Sequence, residues 1–147
     1  MQHSQKKFFC DLDPVADKHQ IRLIQTEGDC TVTGSYILLY RAVYNLVENA
    51  IKYNRPSGSV TVNIHSAESA VLEVTDTGIG ISPENQEKIF DPFYRVDKSR
   101  SRAMGGAGLG LALVSEIARQ HNGQVKVTQS SEKGSTIALI LPKSTDY

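Results

Sequence analysis

The sequence predicts an α+β fold, a two-layer sandwich in which a mixed sheet of about five strands packs against about three helices. Three observations point to it. Residues 36–54 carry apolar side chains at helical spacing, with Leu39, Val43, Leu46 and Ala50 on one stripe. Residues 59–65 and 70–75 alternate apolar and polar, as neighbouring antiparallel strands with one buried face do. Residues 109–120 return to helical spacing and lead into two more strand-like stretches, 124–128 and 135–141.

At 147 residues, 39% hydrophobic and 22% charged, the chain suits one globular domain. Residues 1–7 are polar and unpatterned and read as a tail or the remnant of an upstream connection, residues 8–142 as the domain, and 143–147 as a second tail. Sixteen basic and sixteen acidic residues cancel, so no basic surplus points to nucleic acid or a membrane surface. No apolar run reaches the ~20 residues a bilayer span needs, and the start carries no signal-peptide pattern. A soluble, cytoplasmic chain is expected, with no membrane contact of its own. Cys10 and Cys30 are far apart without a CxxC spacing, and read as reduced thiols.

Taken in order, residues 13–19 read as a short helix with Pro14 in its first turn. Residues 21–25 and 31–33 have strand character, separated by the turn residues Gly28 and Asp29. Ser35 is a plausible N-cap for the long helix, which is expected to reach about Asn54 before Arg55-Pro-Ser-Gly58 turns the chain. A hairpin joins the strands at 59–65 and 70–75. Ser82-Pro83-Glu84 offers a cap, a first-turn proline and an acid, so a short helix through about Ile89 is expected. Residues 91–107 hold no sustained periodicity, and a loop of that length in a compact domain usually has a function. In the next helix Leu111, Val114, Ile117 and Ala118 form the stripe, and Asn122-Gly123 ends it.

Chemistry gathers in three places. At about 100° per residue, Asn45, Asn49 and Lys52 share one polar face of the long helix. Amide oxygens can ligate Mg²⁺, and a lysine supplies a point charge to a phosphate. Six of the eleven glycines lie between Gly78 and Gly110, and the second cluster, Gly105-Gly106-Ala107-Gly108-Leu109-Gly110, runs straight into a helix. Free N–H groups and the positive helix end favour a phosphate there. It is neither of the common nucleotide loops: no GxxxxGK[ST] occurs, and Leu111 stands where the dinucleotide fingerprint needs its last glycine. Asp76 follows a strand and precedes Gly78 and Gly80, so its carboxylate could sit at the bottom of a pocket. Accepting hydrogen bonds only, it would pair with the exocyclic amine of adenine and repel the carbonyl of guanine. An aspartate that merely caps its own turn is the competing reading.

Together these motifs resemble the catalytic and ATP-binding domain of sensor histidine kinases, whose Bergerat-type sandwich is shared with gyrase-type, chaperone and mismatch-repair ATPases. Asn45-Leu-Val-Glu-Asn49-Ala-Ile-Lys52-Tyr53 is similar to the N box, which implies Asn49 as the magnesium ligand, Asn45 and Lys52 as phosphate contacts and Tyr53 beside the adenine. Asp76-Thr-Gly78-Ile-Gly80 is similar to the G1 box, Phe90-Asp-Pro-Phe93-Tyr-Arg95 to the F box, and Gly106-Ala-Gly108-Leu109-Gly110 to the G2 box closing an ATP lid over about 91–107. Gly134-Ser135-Thr136 falls where a further glycine motif is sometimes counted. Ala107 stands where many relatives have threonine, which removes one hydroxyl from the lid.

The resemblance implies ATP and Mg²⁺ as cofactors and Asn45, Lys52 and Arg95 as catalytic residues. Which lid cation meets the γ-phosphate stays open among Arg95, Lys98, Arg100 and Arg102. It also implies two partners, a histidine-bearing dimerisation domain and a response regulator reached through the full-length, membrane-anchored sensor. The acceptor histidine itself is absent, since His3, His19, His65 and His121 are followed by Ser, Gln, Ser and Asn and not by an acid. All four read as surface or packing histidines. The hydrolytic members place a glutamate one turn before the metal-binding asparagine; here that position is Asn45, which favours transfer over hydrolysis. A nucleotide-sensing module and an anti-sigma-type serine kinase are the alternatives. The residues of the lid are expected to order when nucleotide binds.

Overall fold

A computed structural model of the chain describes residues 14, 16–18, 20–26, 32–91 and 110–143. The elements are β1 (Arg22–Gln25), α1 (Tyr36–Lys52), β2 (Ser59–Ser66), β3 (Ala70–Asp76), two 3-10 turns (Pro83–Asn85 and Lys88–Phe90), α2 (Gly110–Gln120), β4 (Gln124–Ser131) and β5 (Gly134–Leu141). Pro14 and residues 16–18 are also helical, where the first short helix is expected. The five strands form one sheet in the order β1-β2-β3-β5-β4. β1 runs parallel to β2 and every other pair is antiparallel, so the sheet is mixed.

Period-two alternation builds the core face. Val60, Val62 and Ile64 of β2, Ala70, Leu72 and Val74 of β3, and Ile137, Leu139 and Leu141 of β5 are all buried. Register aligns them: Val62 lies opposite Val74, Val74 opposite Ile137, and Ile137 opposite Val127, one apolar row across four strands. Both helices pack on this face and on each other. α1 therefore buries a wider sector than one stripe, namely Ala42, Leu46, Val47, Ala50 and Ile51. Leu39 and Val43 of the expected stripe are half-buried against the core, nearer the start of the helix than Leu46 and Ala50. α2 buries Val114, Ile117 and Ala118.

Ser35 caps α1 as expected, its Oγ accepting from the Leu38 N–H at 3.3 Å. His121 joins the helix ends. Its Nε2 accepts from the Ser35 N–H at 3.1 Å, while Nδ1 bonds the Ile117 carbonyl at 2.8 Å. That pairing fixes the tautomer with the proton on Nδ1, so His121 is a satisfied packing histidine. His65 lies on the sheet surface, 2.9 Å from the Glu73 carboxylate on the adjoining strand.

Three expectations are corrected. Val32 and Thr33 are not in a strand, because the chain must already turn toward the Ser35 cap. α1 ends at Lys52, two residues before the expected end, where Tyr53 leaves helical geometry with φ −100° and ψ 15° and the Asn54 N–H bonds the Ile51 carbonyl at 3.3 Å. The single helix expected over 82–89 is two separate 3-10 turns. There the Ser82 Oγ accepts from the Asn85 side chain at 2.7 Å instead of capping backbone, so nothing carries one turn into the next.

Candidate functional site

Asp76 is the last residue of β3 and continues the inward series Ala70, Leu72, Val74. Alternation thus points a carboxylate toward the helix layer at the rim of the core. Its Oδ1 accepts from the backbone N–H of Gly78 at 2.9 Å and of Ser135 at 3.2 Å, and its Oδ2 accepts from the Ser135 hydroxyl at 3.1 Å. A carboxylate offers about four acceptor sites, so these three bonds leave one on Oδ2. Burial pushes the Asp76 carboxyl above its ordinary value of 3.8, and the bonds from Gly78 and Ser135 pull only part of the way back. Self-capping and a pocket floor are thus not exclusive, because Oδ1 does the first and Oδ2 remains for the second.

The glycines after Asp76 let other chain segments close on it. A Cβ at Gly78 would fall 2.7 Å from the Tyr53 carbonyl oxygen, and one at Gly80 would fall 2.0 Å from that of Ser131. Gly80 also has φ 79°, which side chains rarely adopt. The loop therefore touches the end of α1 on one side and the β4–β5 hairpin on the other. At its far end the polar face of α1 meets α2, since a Cβ at Gly110 would lie 3.4 Å from Asn45 Oδ1. Asn45, Asn49, Lys52 and Tyr53 thus line a stretch bounded by Gly110 at one end and by Gly78 and Asp76 at the other.

Along that face the side chains differ in their commitments. Asn45 donates its amide to the Arg41 carbonyl at 2.8 Å. Asn49 is half-buried and its side chain forms no hydrogen bond among the described residues. Lys52 Nζ rests 3.7 Å from Glu48 Oε1. An i,i+4 pair of this kind stabilises a helix by only about 0.3–0.5 kcal/mol, so a phosphate could readily recruit the lysine. The described residues contain no group of three or more His, Cys, Asp or Glu able to hold a metal. Mg²⁺ usually keeps several waters and takes few protein ligands beside substrate phosphates, so a single amide oxygen on this face, that of Asn49, is compatible with that ion.

Phe90 lies in the second 3-10 turn, half-buried against the core. Phe93, Arg95, Lys98, Arg100, Arg102, Gly106, Gly108 and Leu109 lie outside the described residues. Spacing along the chain does not show that Ser135 holds Asp76, because the two are 59 residues apart, nor that Thr77 bonds the Asn54 side chain 23 residues away. A hydroxyl beside Gly134, in a turn opposite the strand end, was the only available cue.

The family described as histidine kinase-, DNA gyrase B- and HSP90-like ATPase matches residues 34–145. The chain is similar to the sensor-like histidine kinase SenX3 of Mycobacterium tuberculosis, 49% identical over 113 residues, covering 76% of this chain and 27% of that protein. Among solved structures it resembles the mycobacterial sensor histidine kinase MprB, with 30% identity, a TM-score of 0.76, and coverage of 95% of this chain and 93% of that one. It shares its fold with the histidine kinase ThkA, solved in complex with the response regulator protein TrrA, at 21% identity and a TM-score of 0.78 over 98% of this chain and 40% of that one. The chain spans about a quarter of the length of the curated relatives it matches. No helix among the described residues is long and apolar enough to cross a membrane.

Proposed function

The chain belongs to the histidine kinase-, DNA gyrase B- and HSP90-like ATPases, as a sensor histidine kinase catalytic domain, and we propose that it binds Mg-ATP and donates the γ-phosphoryl group to a histidine on a separate dimerisation hairpin. The observation that carries this reading is the Asp76 carboxylate, held by Gly78 and Ser135 with an acceptor site to spare. That site suits the adenine amine and repels a carbonyl.

Phosphoryl transfer asks a protein mainly to position groups and to stabilise charge. Asp76 holds the base and Tyr53 lies beside it. Lys52 leaves Glu48 for the phosphates, and Asn45 contacts them from the same helix face. Asn49 would hold Mg²⁺, which there neutralises charge on the phosphate oxygens. Arg95 and the backbone of Gly106, Gly108, Leu109 and Gly110 complete the proposed set, with Phe90, Phe93 and Gly80 shaping its walls. Asn45 cannot act as a base, and Glu48, adjacent to Asn49, points about 100° away from it around the helix, so water lacks an activating carboxylate beside Asn49 on this helix. That supports transfer to an incoming histidine over hydrolysis.

The partners would be the histidine-bearing hairpin of the same kinase and, through the whole protein, a response regulator, in the cytoplasm. Mixing the chain with γ-labelled ATP, Mg²⁺ and the hairpin tests the proposal. Label on the hairpin histidine is expected; tight ATP binding without label would instead favour a nucleotide-sensing module.

A further inference from the structure

Asn54 is 5% exposed, and it stands immediately after the residues of the α1 working face. Its Oδ1 accepts from the Arg55 N–H at 2.8 Å and from the Thr77 hydroxyl at 2.9 Å, while its Nδ2 donates to the Ser59 carbonyl at 2.8 Å. The reversed amide would set its NH₂ against two donors, so this orientation is the satisfied one. The Thr77 hydroxyl in turn accepts from the Ser59 N–H at 2.9 Å. Gly58 permits the closure, since a Cβ there would fall 2.5 Å from both Asn54 Oδ1 and Thr77 Oγ1.

The location gives this network a consequence. The β2–β3 ladder ends at the Val60 and Asp76 pair. Beyond it, Thr77 is tied to the neighbouring strand by its N–H to the Ser59 carbonyl at 3.2 Å and by its side chain to Asn54 and Ser59. Asp76 precedes Thr77 and is bonded by Gly78, which packs on the Tyr53 carbonyl. We propose that Asn54 and Thr77 form a clasp that sets the aim of the Asp76 carboxylate relative to Lys52 and Tyr53, and so act as positioning residues for base selection. This rests on the ATP reading above. The clasp locks the base-reading strand end to the phosphate-reading helix, so adenine and phosphates meet one rigid frame.

Base preference is the readout, because loss of general stability would lower affinity for every nucleotide by the same factor. Inosine triphosphate presents a carbonyl where ATP presents the amine. Calorimetric titration of both nucleotides into the wild-type chain, Thr77→Val and Thr77→Ser gives the ratio directly. Thr77 is exposed, so both variants are expected to fold, which circular dichroism checks. In Thr77→Val the preference for ATP is expected to fall about tenfold, the scale of loss for a misaligned binding group, while Thr77→Ser keeps it. An unchanged ratio in Thr77→Val, or an equal fall in Thr77→Ser, would overturn the clasp while leaving the adenine reading intact. A wild-type chain that shows no preference would overturn both.

Discussion

Among single residues, substitution of Asp76 by asparagine should separate binding from folding. The amide oxygen can still accept from Gly78 and Ser135, and the NH₂ can face the Ser135 hydroxyl, so the turn survives. The same NH₂ would oppose the adenine amine with a donor. Asp76→Asn is therefore expected to weaken ATP binding tenfold or more, on the order of 1.4 kcal/mol, and unchanged affinity by calorimetry would remove the adenine assignment. Burial raises the Asp76 pKa, so the native state holds its proton more tightly than the unfolded chain does. Its contribution to stability is greatest below 3.8 and declines as pH rises through the folded value. At neutral pH the ionised carboxylate is then a cost, and Asp76→Asn should melt no lower than the wild type. Binding has the opposite sign: ATP affinity should fall as the pH drops through the raised pKa, with a midpoint above 3.8, and Asp76→Asn should lose that dependence.

Among elements, α1 holds both a structural and a chemical face, and each has its own test. Ser35→Ala removes the cap on the Leu38 N–H and should lower stability by about 1 kcal/mol in denaturant melts, with ATP affinity little changed. Lys52→Ala should do the reverse. It removes an ion pair worth about 0.3–0.5 kcal/mol, leaving the melt almost where it was, yet phosphoryl transfer to the hairpin should collapse. A melt shift as large as that of Ser35→Ala would show that Lys52 serves the fold instead. Elements were legible where a local rule stood alone: the Ser35 cap, the alternation in β2, β3 and β5, and the stop at Asn122, whose φ is 60°. They were illegible where a side chain chose a partner that no spacing rule names. The Asn54 side chain bonds Ser59 across the turn after α1, and Ser82 bonds the Asn85 side chain in place of a backbone cap where two short turns replace a helix. Separation along the chain, by 59 and 23 residues, hid the bonds of Ser135 to Asp76 and of Thr77 to Asn54.

Across the whole molecule, a two-layer sandwich brings three separated segments to one end of the sheet. The end of α1, the loop after β3 and the β4–β5 hairpin meet there through close approaches at Gly78 and Gly80. The order of motifs in the sequence already implied that meeting through its resemblance to a known domain, but which atoms touch became plain only with the fold. The chain spans about a quarter of its curated relatives, and in the function proposed above it would carry the nucleotide half of a reaction whose acceptor histidine lies elsewhere. The most direct test follows the γ-phosphate of labelled Mg-ATP through a quenched time course, with the chain alone and then with the histidine hairpin. Little free phosphate from the chain alone and label accumulating on the hairpin histidine is the expected result. Fast release of free phosphate by the chain alone, with the hairpin left unlabelled, would contradict it.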